Sequence, residues 1–320
     1  MRFVTFHEVD GDRAGVLDGD QVCTLEPGVR LIDLIGDPGR LEEAGERALR
    51  HPQAVYAYGS LHLRAPIPSP PSVRDFMTFE RHVAGVAKLR APDAAVPGQW
   101  YAAPAFYFTN PYAVQGPEDG VRIPPGSSLF DFELEVAAVI GRGGRDIRVA
   151  DAEQHIAGYM LMNDWSARDL QFAEMQVHLG PAKGKDSATS LGPVLVTPDE
   201  VADRRAGNAF GLTMTAQVNG TVIGQDLWSE MGFSYAQMIA YASRGTEVRT
   251  GDILGSGTCG GGCLAELWGR KGLDAHPPLS AGDTVVLTVE QLGSQSVTVL
   301  PADPQPLEDL SIPSTDRSVQ

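Results

Sequence analysis

The most informative pattern in the chain is an apolar run over residues 129–141 that contains two acids. Phe132 and Leu134 alternate with Glu133 and Glu135, and in a β-strand residues i and i+2 point to the same face. The pattern therefore predicts a strand that carries two neighbouring carboxylates on one face. Their repulsion is relieved if that face is in water, if one acid holds a proton, or if a cation lies between them.

Residues 1–65 predict a small α/β unit. Alternating Phe3, Thr5 and His7 indicate a strand, turns are expected at residues 10–12 and 18–20, and residues 40–50 have helical character. The proline-rich segment 65–71 predicts a stiff, extended connection. We therefore expect a small N-terminal domain over residues 1–65, a large domain over 66–300, and a loose or strapping C-terminal tail over 301–320.

The large domain begins with chemically interesting side chains. Residues 75–89 contain few helix breakers, which predicts a helix with Asp75 and His82 two turns apart on the same face. Aromatic residues are dense over 100–112, and a strand is expected at 106–109; this density is typical of a core or a dimer contact rather than of a ligand pocket. A buried strand over 156–162 ends just before Asp164, which should place this acid at a pocket.

The rest of the large domain alternates short helices, glycine loops and strands. A helix starting at Ser166 should present Arg168 and Gln171 on one face, and a glycine-rich loop over 180–186 carries Lys185. Strands are expected at 191–197, 211–218 and 284–289, a hairpin at Asn219-Gly220, and a helix at 234–243. The fold class is therefore α+β and mainly β.

Composition narrows the possible partners. The 320 residues are 42% hydrophobic and 21% charged, which is ordinary for a soluble globular protein. The net charge of −16 and the pI of 4.8 argue against nucleic acid and acidic membrane surfaces as partners. No apolar segment is long enough for a signal core or a membrane span. The odd number of cysteines argues against a disulfide framework, and the Cys259–Cys263 pair, without a nearby histidine, fits zinc poorly. We expect a cytoplasmic protein.

Several motifs in fixed order resemble the fumarylacetoacetate hydrolase family, in its bacterial fumarylacetoacetase or acylpyruvase-like branch. They lie at residues 72–83, 131–135, 163–171, 180–186, 255–258 and 262–267. The resemblance covers roughly residues 66–300. It implies a mixed β-roll catalytic domain, a small N-terminal domain and a homodimer.

The resemblance also implies a divalent cation, usually Mg²⁺, with Ca²⁺ or Mn²⁺ as possible substitutes. Its ligands would be Glu133, Glu135 and Asp164, with Asp75 as a fourth carboxylate. Elementary coordination chemistry agrees, because hard cations prefer oxygen ligands and Mg²⁺ commonly keeps positions open for water and substrate.

Other family positions imply roles around this cation. His82 corresponds to the general base and Glu266 to the acid that orients it, although a single histidine on a helix is more often a surface residue. Lys185 is expected to be catalytic as an oxyanion donor, with Thr189 close by. The substrate-facing positions are Arg168, Gln171, Thr258 and Met77.

Three positions depart from the family pattern. Methionine replaces the expected tyrosine at Met77 and at Met175, which argues against fumarylacetoacetate itself, because Met cannot donate a hydrogen bond. The segment over residues 292–297, which ends in Val297, replaces the usual Leu-Gly-x-x-x-Asn, and this departure is expected to alter the pairing of the last strand but not the chemistry.

The implied activity is hydrolysis of a C–C bond in a 2,4-dioxo acid, such as an acylpyruvate or a fumarylacetoacetate-like compound. The His82/Glu266 pair would activate water, and the leaving group would be a metal-bound enolate. The same metal set also serves 2-oxo acid hydratases, oxaloacetate decarboxylases and tautomerases, which remain the alternative. A non-catalytic metal-binding protein of the same fold is a more remote alternative.

Overall fold

The computed structural model describes residues 1–89, 91, 93–304 and 307–312. The strands, in chain order, are β1 (Arg2–Glu8), β2 (Gly11–Asp18), β3 (Gln21–Thr24), β4 (Val55–Ala57), β5 (Leu63–Arg64), β6 (Val73–Phe76), β7 (Phe106–Thr109), β8 (Val114–Gln115), β9 (Val121–Arg122), β10 (Phe130–Asp131), β11 (Leu134–Ile140), β12 (Gly144–Arg145), β13 (Ile156–Asp164), β14 (Ser166–Ala167), β15 (Thr189–Leu191), β16 (Leu195–Val196), β17 (Arg205–Ala206), β18 (Ala209–Phe210), β19 (Thr213–Val218), β20 (Thr221–Leu227), β21 (Glu247–Val248), β22 (Ile253–Gly255), β23 (Thr284–Val289) and β24 (Gly293–Leu300). The α-helices are α1 (Pro38–Arg50), α2 (Glu80–Ala87), α3 (Arg168–Met175), α4 (Tyr235–Ala242) and α5 (Leu264–Lys271). This content confirms the α+β, mainly β class.

The largest sheet has the strand order β4-β3-β2-β1-β16-β13-β11-β22-β6-β7. Strand β11 lies in its interior, and all of its residues are buried. Its alternate side chains enter two different cores: Val136 and Ala138 pack with the second sheet, whereas Ala137 and Val139 pack with the N-terminal strands and α1. A strand buried on both faces reads as a nearly continuous apolar run, which explains residues 134–140.

The N-terminal strands continue this sheet. Strand β1 pairs with β2 in a hairpin and with β16 on its other edge, where Arg2 lies opposite Val196. The predicted strand and turns of this unit are confirmed, and the expected helix is α1. The division of the chain at residue 65 remains a prediction; the N-terminal strands and the following region share one sheet.

The acid-containing run is not one continuous strand. Strand β10 ends at Asp131 and β11 begins at Leu134, so Glu133 lies in the interruption. Side-chain oxygens replace the missing strand partners of the backbone N–H groups there. Asp131 Oδ1 accepts the N–H of Phe132, and Asn163 Oδ1 accepts the N–H of Glu133 at 3.0 Å. The solvated-face alternative is also wrong, because Glu133 and Glu135 are only 4% and 0% exposed.

The helix predicted over residues 75–89 is partly wrong. Asp75 lies on strand β6, which pairs in parallel with β22 and antiparallel with β7, and helix α2 begins only at Glu80. The β-favouring residues Val73 and Phe76 flank Asp75, and pairing on both edges outweighs weak local helical preference. Asp75 and His82 therefore do not share a helical face.

Other predicted elements have clear outcomes. The hairpin at Asn219-Gly220 is confirmed between β19 and β20, and the helix expected at 234–243 is α4, which starts with a capping box at Ser234. The strand expected over 191–197 is divided into β15 and β16. In the described part of the C-terminal tail there is no helix or strand, and residues 305–306 and 313–320 of that predicted segment lie outside the described residues. Every helix among the described residues is too short or too polar to cross a membrane.

The second sheet, β20-β19-β23-β24-β9, covers one face of β11 and β13. Strand β24 pairs with β23 without a register shift. Its buried Gln295 donates from Nε2 to the carbonyls of Leu161, Ser190 and Gly192 at 3.1–3.2 Å. This one amide therefore ties β24 to the end of β15 and to β13.

We expect Gln295→Ala to lower the free energy of unfolding by about 2–4 kcal/mol, because it leaves a cavity and removes the donor from buried carbonyls. Urea denaturation of the purified protein measures this change. The control is Gln21→Ala, at an exposed position of β3, which should change stability by less than about 0.5 kcal/mol. An equal effect of the two substitutions would contradict the role assigned to Gln295.

Candidate active site

Four predicted ligands meet on neighbouring strands of the large sheet, close to the point where β11 begins and β13 ends. Asp75, Glu133, Glu135 and Asp164 each offer a carboxylate oxygen, and these oxygens lie within 4.8 Å of one another. All four residues are buried. The structure brings together the four acids that the family resemblance implies as ligands, and metal binding by them remains a prediction.

Strand register brings these acids together. Leu134 of β11 lies opposite Asn163 of β13, and Gly255 of β22 lies opposite both Ala137 and Asp75. Gly255 is needed for this approach, because a Cβ there would lie 2.7 Å from Asp75 Oδ1 and 2.9 Å from Glu135 Oε2. Strands β13, β11 and β6 therefore carry three of the acids, and Glu133 comes directly before β11.

The electrostatics of this acidic cluster are strongly perturbed. Burial, reinforced by neighbouring carboxylates, raises the pKa of Glu135 and of Asp164 well above the usual range, and burial also raises the pKa of Asp75. Glu133 behaves differently: although burial opposes the change, Arg168 and Lys185 lower its pKa. Arg168 and Lys185 therefore stabilise the charge of Glu133 but do not offset the effect of burial on the other three acids.

Those two cations contact the acids directly. Lys185 Nζ donates to Glu133 Oε2 at 2.5 Å and to Asp164 Oδ2 at 2.6 Å. Although burial opposes it, the two carboxylates raise the pKa of Lys185, so the amine stays protonated. The Arg168 guanidinium lies 2.7 Å from Glu133 Oε1 and also binds Asp131 and Gln171. Arg168 thus contacts the acids and Gln171, as its helical spacing predicts, while its contact with substrate stays a prediction.

Several oxygens of the cluster have no partner. Among the described residues, Asp75 Oδ1, Glu135 Oε1, Asp164 Oδ1 and Thr189 Oγ1 are buried and accept no hydrogen bond. Buried polar atoms are normally satisfied, and unpartnered carboxylate oxygens are the ligands that hard divalent cations prefer. The residues therefore fit Mg²⁺ or Mn²⁺.

A second group lies between helices α2 and α5. His82 Nδ1 is 3.6 Å from Glu266 Oε2 and 3.7 Å from Cys263 Sγ. Glu266 also pairs with Arg270 and accepts the N–H of Gly261 at 2.5 Å. Gly85 permits the close approach of the two helices, because a Cβ there would overlap the Glu266 side chain. Asp131 connects this group to the acidic cluster, because it accepts the N–H of Leu264 at the start of α5 and binds the Arg168 guanidinium that also contacts Glu133.

The remaining predicted residues surround these groups. Thr258 is buried and follows Gly257, whose N–H donates to Glu135 Oε2 at 2.9 Å. Met77 is 41% exposed, and its backbone lies next to Gly257. Substrate contacts by Thr258, Met77 and Gln171 remain predictions.

Sequence reasoning missed two residues. Tyr107 Oη donates to Asp164 Oδ2 at 2.5 Å, and its pKa is raised well above the usual value by desolvation and by the nearby carboxylates. Asp131 accepts two bonds from Arg168 and the N–H groups of Leu264 and Ala265, in the first turn of α5. The only available signals were that Asp131 shares the two-residue spacing of Glu133 and that Tyr107 lies in a predicted strand.

Comparisons with known proteins agree with this architecture. A mitochondrial oxaloacetate tautomerase of Xenopus laevis is 30% identical over 318 residues, which cover 94% of this chain and 90% of that protein. Oxaloacetate tautomerase YisK of Bacillus subtilis is 27% identical over 301 residues, 88% of this chain and 93% of that protein. The structure of maleylpyruvate hydrolase from Sphingobium sp. SYK-6 with manganese(II) and pyruvate has a TM-score of 0.71 at 24% identity and covers 95% of this chain and 100% of that one. This last similarity shows the fold.

The match to a family model covers the region in which the site lies. Residues 72–300 match the model described as fumarylacetoacetate (FAA) hydrolase C-terminal, and this range contains the acidic cluster and the His82/Glu266 pair. The chain therefore belongs to the fumarylacetoacetate hydrolase family.

Proposed function

We propose that this protein is a divalent-cation-dependent enzyme that interconverts the keto and enol forms of a small 2-oxo dicarboxylic acid such as oxaloacetate. The observation that carries this proposal is the buried acidic cluster, with its unpartnered oxygens, beside the His82/Glu266 pair. Relatives that are similar along nearly their whole length are named oxaloacetate tautomerases.

Asp75, Glu133, Glu135 and Asp164 would hold the cation. When bound, the cation supplies a Lewis acid for the 2-oxo group and a template that orients a chelating acid. Lys185 lies between Glu133 and Asp164, where its positive charge would add to that of the cation. This charge favours the enolate over the ketone.

Tautomerisation moves one proton between C3 of the substrate and the 2-oxygen, with no other bond made or broken. His82 turns Nδ1 towards Glu266, and Nε2 makes no hydrogen bond with the described residues. The imidazole is suited to take the proton from C3 and to deliver a proton to the 2-oxygen as the C2–O double bond becomes a C2–C3 double bond, and to carry out the reverse transfer.

The second candidate is hydrolysis of a C–C bond in a 2,4-dioxo acid. It is favoured by the same His82/Glu266 pair, since a histidine with a buried carboxylate partner can also activate water. Lys185 and Gln171 would then donate to the oxyanion that forms on attack. A homodimer, Mg²⁺ as the natural cation and a cytoplasmic location remain parts of the proposal that rest on the family resemblance and the composition.

The products distinguish these candidates. With Mg²⁺ or Mn²⁺, we expect the purified protein to accelerate the loss of enol-oxaloacetate absorbance while total oxaloacetate stays constant. Acylpyruvates would be assayed in parallel for the release of pyruvate and a carboxylic acid. Release of these acids as the dominant reaction would favour the hydrolase, loss of total oxaloacetate would favour a decarboxylase, and the absence of metal-dependent turnover on every substrate would refute all three.

Glu135→Gln neutralises a proposed direct ligand and should therefore weaken Mn²⁺ binding strongly. Loss of a residue that only hydrogen-bonds a ligand weakens binding by roughly 10–100-fold, and the effect here should be larger. Isothermal titration calorimetry measures this affinity. The control is Glu42→Gln, at an exposed position of α1, which should bind Mn²⁺ like the unsubstituted protein. Equal affinity in both variants would place the cation elsewhere.

His82→Gln should lower kcat/KM for tautomerisation by about 10²–10⁴-fold, the usual contribution of a general acid or base. Its Mn²⁺ affinity should stay close to that of the unsubstituted protein, because the residue is not a proposed ligand. The exposed His51, changed to Gln, serves as the control. A His82→Gln enzyme with full activity would remove His82 from the mechanism.

A further inference from the structure

Asp164 has two very different carboxylate oxygens. Oδ2 accepts from Tyr107 Oη at 2.5 Å and from Lys185 Nζ at 2.6 Å. Oδ1 is buried and has no partner among the described residues. A carboxylate turns easily about its last torsion unless hydrogen bonds hold it. Two donors on one oxygen therefore fix the orientation of the carboxylate and leave the buried Oδ1 available as a ligand.

We infer that Tyr107 is a positioning residue for the cation site: its hydroxyl holds Asp164 so that Oδ1 is presented as a ligand. This inference rests on the cation site of the proposed function and adds a residue that acts through Asp164. Outer-sphere hydrogen bonds of this kind orient metal ligands and tune their affinity.

Strand β7 places the Tyr107 hydroxyl with little freedom. In the antiparallel pair β6/β7, Tyr107 lies directly opposite Asp75, and opposed residues project to the same face of a sheet. Phe106 and Phe108 project to the other face, where both rings lie within 6 Å of the Arg74 guanidinium, at 5.9 and 5.0 Å. The pairing of β6 with β7 therefore positions both the proposed ligand Asp75 and Tyr107, the residue that orients the proposed ligand Asp164.

Lys185 cannot perform this task alone. Its flexible amine also donates to Glu133 Oε2 at 2.5 Å, so it can follow either carboxylate. Tyr107 has a rigid aromatic side chain, and among the described residues its hydroxyl has Asp164 as its one hydrogen-bonded partner. Removing the hydroxyl should leave Asp164 free to turn Oδ1 towards Lys185 and away from the cation.

The test is Tyr107→Phe, which removes only the hydroxyl. We expect the Kd for Mn²⁺, measured by isothermal titration calorimetry, to rise by about 10–100-fold. At saturating Mn²⁺, kcat should recover towards that of the unsubstituted enzyme, since the ligands themselves are present. The matched control is Tyr101→Phe, because Tyr101 Oη makes a comparable 2.6 Å bond to Glu80 at the surface; its Kd should not change.

A second measurement separates positioning from general stability. The increase in Tm on adding Mn²⁺ should be smaller for Tyr107→Phe at intermediate concentrations, because stabilisation by a ligand follows its affinity. A lower Tm of the metal-free protein with an unchanged Kd would show a purely structural role and overturn the inference, as would loss of cooperative unfolding.

The outcomes also separate this inference from the proposed function. If the unsubstituted protein binds Mn²⁺, Glu135→Gln does not, and Tyr107→Phe binds normally, then the positioning role is refuted and the cation site stands. If the unsubstituted protein binds no Mn²⁺, both are refuted.

Discussion

The mutual repulsion of four buried carboxylates is the constraint on which the rest of this structure depends. Two unit charges about 4–5 Å apart repel by roughly 3–4 kcal/mol at an effective dielectric constant near 20. A folded domain is stable by only about 5–15 kcal/mol, so a few such pairs would exhaust that stability. The repulsion can be relieved by protonation, by Lys185 and Arg168, or by a divalent cation. The pKa values of Asp75, Glu135 and Asp164 are raised, which indicates that the two side-chain cations alone do not suffice.

The sheet keeps these acids together because its strands cannot relax separately. On β11 the face that carries Ala137 and Val139 inside the core carries Glu135 where the strand leaves it, so the apolar half of the strand anchors the acidic half. Asp164 follows Asn163, which lies opposite Leu134, and Asp75 lies opposite Gly255, which leaves room for the Asp75 and Glu135 carboxylates. The apolar core therefore holds the buried acids in an arrangement that is unfavourable by itself, as is common at functional sites.

The sequence predicts those features that depend on residues close together in the chain, and it misses those that depend on residues far apart in the chain. Two-residue alternation and the Asn219-Gly220 turn are local, so the hairpin and the strand from Leu134 onwards were predictable, whereas the break at Glu133 was not. Asp75 was assigned to a helix because its neighbours lack breakers; its strand arises from pairing with β22 and β7, which lie far away in the chain. The roles of Asp131 and Tyr107 have the same origin, since their partners are the first turn of α5 and the end of β13. The order of the motifs indicated which acids would come together. The hydrogen bonds that hold these acids became visible only in the fold.

The environment of Glu266 bears on which reaction the site favours. At 3.6 Å, Glu266 Oε2 and His82 Nδ1 lie beyond ordinary hydrogen-bond distance, and Glu266 is already paired with Arg270 and the N–H of Gly261. These partners fix the Glu266 carboxylate beside the imidazole ring. A histidine next to a buried carboxylate can exchange a proton with an acidic C3–H or with water, so the pair suits either of the proposed chemistries. The acidic cluster is common to both as well, so the proposed preference for tautomerisation rests on the relatives that are similar along nearly their whole length.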